Sequence, residues 1–108
     1  MGFSDKKQTV VLNADIDRTF KAMVQVATSL DGYKIENSDP NAHAMRMSQG
    51  MSALSWGSDV VVTMAPQGEA QTAVTVEVKS KMPTELFVGG KHQKTLDALV
   101  AALRQALA

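Results

Sequence analysis

Cysteine is absent from the 108 residues, which excludes disulfides, thiolate chemistry and cysteine-held zinc or iron–sulfur clusters. The lack suits a reducing compartment. Net charge is also absent: eleven basic residues balance eleven acidic ones, so no overall field draws the chain to nucleic acid or an anionic membrane. Apolar runs are short of the ~18 residues needed for a membrane-spanning helix. The opening "MGFSDKKQTV" has no apolar stretch of the kind a secretory leader requires. A cytoplasmic protein is the expectation. Aromatic residues are scarce, five in all, while methionine is plentiful at seven.

What remains is the composition of one ordinary folded domain. Apolar residues make up 44% and charged ones 20%, and a chain of this length buries roughly 60–70% of its unfolded surface. The expected unit is a single domain over 1–108, with residues 1–6 as a flexible arm.

Periodicity gives the order of elements. "QTVVLNA" (8–14) is β-branched and short, a first strand. Asp15 then stands as an N-cap for a helix whose apolar face is Ile16, Phe20, Met23, Val24, Ala27 and Leu30, with Gly32 as the stop. "YKIENS" (33–38) reads as a second strand, "DPNA" (39–42) as a turn and "HAMRMSQ" (43–49) as a third strand. "DVVVTMA" (59–65) is a fourth strand, "PQGEAQ" (66–71) a turn and "TAVTVEVKSKM" (72–82) a fifth. In that last strand Val74, Val76, Val78 and Met82 oppose Thr75, Glu77, Lys79 and Lys81, so one face is dry and the other wet. A final helix buries Leu96, Leu99, Val100, Leu103 and Leu107. The predicted fold class is α+β: a two-layer sandwich with an antiparallel five-stranded sheet in β-α-β-β-β-β-α order and two helices on one face.

"SWG" (55–57), the alternating "VTVEVKSK" (74–81) and "GK" (90–91) at the mouth of the last helix carry a resemblance. The chain resembles small uncharacterised bacterial domains of β-α-β4-α order, related in shape to the TATA-binding-protein-like and helix-grip folds. The resemblance implies that fold and transfers no catalytic residue.

Three readings of function follow from the residues. Met45, Met47 and Met64 share the inward parity; with Trp56 and Phe87 they would line a soft pocket between sheet and helices for a small apolar ligand or a partner's side chains, or simply fill the core. In "VGGKHQKT" the Walker pattern fails at two positions, since Glu85 and His92 stand where glycine and a hydroxyl residue belong. Gly89, Gly90, Lys91 and His92 still open a helix with basic residues, which suits a phosphate-bearing small molecule or is only a glycine-capped start with Gln93 as capping partner. "QTVVLNA" and "YKIENS" are candidate edge strands through which a weak homodimer could pair, with a monomer as the alternative.

Other chemistry finds less footing. His43 and His92 have no shared metal-ligand spacing, so neither a metal nor a cofactor is implied. Nothing resembles a nucleophile elbow or a tuned carboxylate pair, and no catalytic residue is assigned. Lys79, Lys81, Lys91 and Lys94 read as a solvated face rather than a nucleic-acid platform.

Overall fold

The computed structural model describes residues 6–30, 32–49, 58–80 and 89–108. Its elements are β1 (Lys6–Leu12), α1 (Ile16–Ser29), β2 (Tyr33–Asp39), β3 (Ala44–Gln49), β4 (Ser58–Gly68), β5 (Gln71–Ser80) and α2 (Gly89–Leu107). The strands form an antiparallel sheet in the order β1-β5-β4-β3-β2. This is the expected two-layer α+β sandwich. The two strands nominated as edges occupy the two edges.

The valine alternation sets the sheet's dry face. Val74, Val76 and Val78 on β5, Val60, Val62 and Met64 on β4, and Met45 and Met47 on β3 are all buried. They meet Leu96, Leu99 and Leu103 of α2 and Phe20, Met23, Val26 and Ala27 of α1 in one cluster. Each such side chain, fully buried, contributes about 1.5–3 kcal/mol, so this layer is the main source of stability. Val100 and Leu107, expected in the leucine stripe, are only half-buried at its margin.

Local chemistry fixes the ends of α1. The Asp15 carboxylate accepts the Arg18 backbone N–H at 2.8 Å, which makes it the N-cap. The helix stops at Ser29, and Gly32 turns the chain with a φ of 89° that side chains rarely tolerate. At the other end of the helical layer, Arg18 donates to the Leu107 carbonyl at 3.0 Å. That contact satisfies one of the carbonyls left open at the end of α2.

Four boundaries differ from expectation. Lys6 is already in β1, paired with Val78, and the strand ends at Leu12 rather than residue 14. Beyond Leu12 the chain bends into the α1 cap, where the Ala14 carbonyl accepts the Thr72 hydroxyl at 2.8 Å. His43 lies in the turn before β3, not in the strand, because its φ of 52° is left-handed. Asp39 shapes that turn by accepting the N–H groups of Asn41 and Ala42 at 3.0 and 3.2 Å. The turn expected over 66–71 shrinks to Glu69 and Ala70: Gly68 pairs with Gln71, and Pro66 sits within β4 where the register shifts. A proline is tolerated there because the irregular pairing does not need its missing N–H.

Candidate functional site

Inward-facing side chains of a sheet form rows, since directly opposed residues on neighbouring strands point the same way. Two apolar rows occupy the middle. Ile35, Met47, Val60 and Val78 are opposed in one, and Met45, Val62 and Val76 in the next. One step beyond the first of these the chemistry changes. Tyr33 opposes Gln49, and Gln49 opposes Ser58. Here a phenol, an amide and a hydroxyl replace the hydrocarbon side chains.

Helix α2 closes over this polar row. Thr95, only 5% exposed, donates to Gln49 Oε1 at 3.4 Å and shares a hydrogen bond with the Tyr33 side chain. From the opposite edge of the sheet, Gln8 on β1 accepts from Gln93 at 3.5 Å. The amino-terminal half of α2 is therefore held to the sheet from both sides. Gln93 also donates to Asp97 at 3.0 Å, so its amide serves the helix flank rather than the capping role the sequence suggested.

The buried polar side chains differ in one respect. Thr19 donates to the Asp15 carbonyl at 2.7 Å, Thr72 to the Ala14 carbonyl at 2.8 Å, and Ser48 to Glu36 at 2.8 Å. Thr95 is bonded as described. Ser58 is fully buried, and its hydroxyl has no hydrogen-bond partner among the described residues. A buried hydroxyl left without a hydrogen bond costs about 1–3 kcal/mol.

Burial pushes the Tyr33 phenol above its ordinary value of 10.0, an effect the Thr95 hydrogen bond partly opposes. The phenol raised in the folded state holds its proton after the unfolded chain has lost it. Its contribution to stability is thus complete below pH 10.0 and is lost as pH climbs through the folded value. Tyr33 is the only tyrosine, so phenolate absorbance at 295 nm reports it alone. The expected alkaline midpoint lies above 10.0 and moves higher still in Thr95→Val, where the opposing contact is gone.

The residues nominated from sequence are distributed unevenly about this site. Met47, wholly buried, lies in the row immediately beneath Gln49 and Ser58, and Met45 lies one row deeper. Met64 is six residues along β4 from Ser58, or about 20 Å, and belongs to the opposite end of the sandwich. Its backbone N–H donates to the His43 carbonyl at 3.0 Å. Trp56 and Phe87 lie outside the described residues; they belong to segments 50–57 and 81–88, which join Gln49 to Ser58 and Ser80 to Gly89. Gly89, Gly90, Lys91 and His92 form the first turn of α2, and the side chains of Lys91 and His92 are likewise outside the description.

Tyr33, Gln49, Ser58 and Thr95 were not nominated from the sequence. A signal was present: the alternations Met45, Met47, Gln49 and Ser58, Val60, Val62 each place a polar residue at the inward position just past the last apolar one. The spacing that brings Thr95 onto them is tertiary and leaves no local trace.

Elsewhere, His43 Nε2 donates to the Asp17 carboxylate across 3.0 Å, and its ring meets Phe20 edge-on at 5.9 Å between ring centres. This pair ties the β2–β3 turn to α1 and accounts for both residues structurally. An open hollow of about 560 Å³ between the start of α1 and the end of α2 is bordered by Asp15, Asp17, Arg18 and Lys21. Among the described residues no cluster of three metal-ligating side chains occurs, and no helix is long and apolar enough to cross a membrane.

No family model matches the sequence, and no curated protein matches it either. Solved structures do match in shape. The di-domain aromatase/cyclase BexL of the BE-7585A biosynthetic pathway superposes with a TM-score of 0.74 at 13% identity, covering 95% of this chain and 46% of that one. The chain thus spans less than half of that protein's length. Norcoclaurine synthase from Thalictrum flavum, in complex with dopamine and hydroxybenzaldehyde, gives 0.67 at 9% identity over 95% of this chain and 85% of its own. A START superfamily protein from Mycobacterium smegmatis gives 0.66 at 14% identity, covering 94% of each. At these identities the likeness is one of fold, and the fold is the helix-grip half of the resemblance noted above.

Proposed function

We propose that the chain is a non-enzymatic binding domain that takes up a small, largely apolar molecule between the sheet and α2. The entry lies at the end marked by Tyr33, Gln49, Ser58 and Thr95, with Met47 and Met45 as the wall beneath. Trp56 and Phe87 join this reading from their place in the sequence, and Met64 only as distant core. The observation that carries the proposal is the buried hydroxyl of Ser58, without a partner among the described residues, at the edge of a hydrocarbon layer. Interiors that hold small molecules combine such apolar walls with a few placed polar groups. The norcoclaurine synthase neighbour, which carries two small aromatic molecules, supports the same reading by its shape.

A partner protein is the weaker occupant, because Met45 and Met47 are 2% and 0% exposed and offer it nothing to touch. Edge pairing is opposed by the strands themselves. β1 begins with exposed Lys6 and Lys7, and β2 carries an irregularity between Ile35 and Asn37 that breaks its register. Both features discourage a second chain from docking.

Toluene is a suitable probe of the interior. Titrated into the full chain and followed by amide NMR, it should shift Tyr33, Met47, Val60 and Leu96 in a saturable way. Unmoved spectra up to the solubility of toluene would remove the proposal.

A further inference from the structure

The geometry points to a ligand that carries a neutral oxygen, a phenol, alcohol or carbonyl, held by the Ser58 hydroxyl at the polar end of an otherwise apolar interior. This inference rests on the interior-binding reading above and names the chemistry of its ligand.

The four described side chains that mark this end are all uncharged. Tyr33, Gln49 and Ser58 stand in one row on β2, β3 and β4, and Thr95 reaches down on them from α2. Burial favours the protonated form of the Tyr33 phenol, so it too stays neutral. A carboxylate or phosphate brought here would shed its hydration and find no countercharge on these residues, which disfavours charged ligands. A hydrocarbon would leave the Ser58 hydroxyl as it is, without a bond. A neutral oxygen attached to an apolar body resolves both difficulties: the body lies on Met47, Val60 and Leu96, and the oxygen meets Ser58. The contrast with the other buried hydroxyls is what isolates this residue. Thr19 and Thr72 bond to backbone carbonyls that the fold itself supplies, whereas none of the described residues supplies Ser58 with a partner.

The test uses three probes of one shape: toluene, p-cresol and 4-methylbenzoate, each titrated by amide NMR into the full chain and into Ser58→Ala. In the native protein p-cresol should bind at least about tenfold more tightly than 4-methylbenzoate, the scale of one hydrogen bond against one unpaired buried charge. The decisive quantity is the change, from native to Ser58→Ala, in the ratio of the toluene to the p-cresol dissociation constant, a comparison in which the different hydration of the two probes cancels. Ser58→Ala should lower that ratio about five- to tenfold while leaving toluene affinity within about twofold. Its thermal midpoint without ligand should be equal to or above that of the native chain, since an unpartnered hydroxyl is removed. A ratio unchanged by the substitution overturns the inference and leaves the interior-binding reading standing. Failure of all three probes to shift any amide removes both.

Discussion

Phe20→Ala should cost about 3–5 kcal/mol, read as a lowered urea midpoint at unchanged slope. Phe20 is 6% exposed and belongs to the core cluster between α1 and the sheet. Its ring also meets His43 edge-on, a contact worth about 0.5–1.5 kcal/mol beyond area burial in aromatic pairs. Against a total stability of about 5–15 kcal/mol for a domain of this kind, the loss is roughly a fifth or more. The substitution also has a local signature. With the ring gone, His43 keeps only Asp17, whose side chain is 84% exposed, so the histidine ring resonances should broaden or move toward those of a solvated imidazole. A loss below about 1 kcal/mol would mean that the α1 contact with the β2–β3 turn is ornamental and that the core is organised elsewhere.

Met47→Ala should cost about 2–5 kcal/mol and open a void directly under the polar row. Met47 has no exposed surface; of its two neighbours in the row, Val60 has none either and Ile35 is half-buried. Such a void, lined by valine and leucine, stays dry and accepts small apolar molecules. Saturating toluene should therefore restore part of the lost thermal midpoint in the variant, by the linkage that stabilises any state binding a ligand. If Met47→Ala costs almost nothing, the methionine already borders empty space and the native site is larger than its side-chain packing indicates. Binding and stability measurements on the same variant separate these outcomes.

Much of the architecture could be read along the chain because it rests on short-range signals. Val74, Val76 and Val78 alternate without interruption, Leu96, Leu99 and Leu103 recur at helical spacing, and Asp15 and Gly32 bracket α1. All of these depend on neighbours a few residues away. The errors arose where a local cue competed with pairing. Pro66 and Gly68 look like turn residues, yet β4 continues through them because β5 is there to pair with. His43 continues an alternation, yet the two acceptor bonds of Asp39 and the left-handed φ draw it into the turn. The candidate site was the least legible part. Tyr33 and Thr95 are far apart in the sequence, and nothing near either one announces the hydrogen bond between them. Methionine abundance pointed to the buried layer as a whole and singled out no end of it, since Met64 shares parity with Met47 while lying about 20 Å from the polar row.

The pairing of β1 with β5 bears on how the chain reaches this state. Lys6 is opposite Val78, and Leu12 is opposite Thr72, so the first strand has no mate until most of the polypeptide has been made. On a ribosome it must wait, while α1 and the β2–β3–β4 meander can already assemble. Closing so long a loop is entropically slow, and folding speed falls as contacts grow more distant in sequence. Addition of that strand is then the natural late step, and amide exchange pulsed during refolding should find Thr9 and Val10 protected after Val60 and Val62.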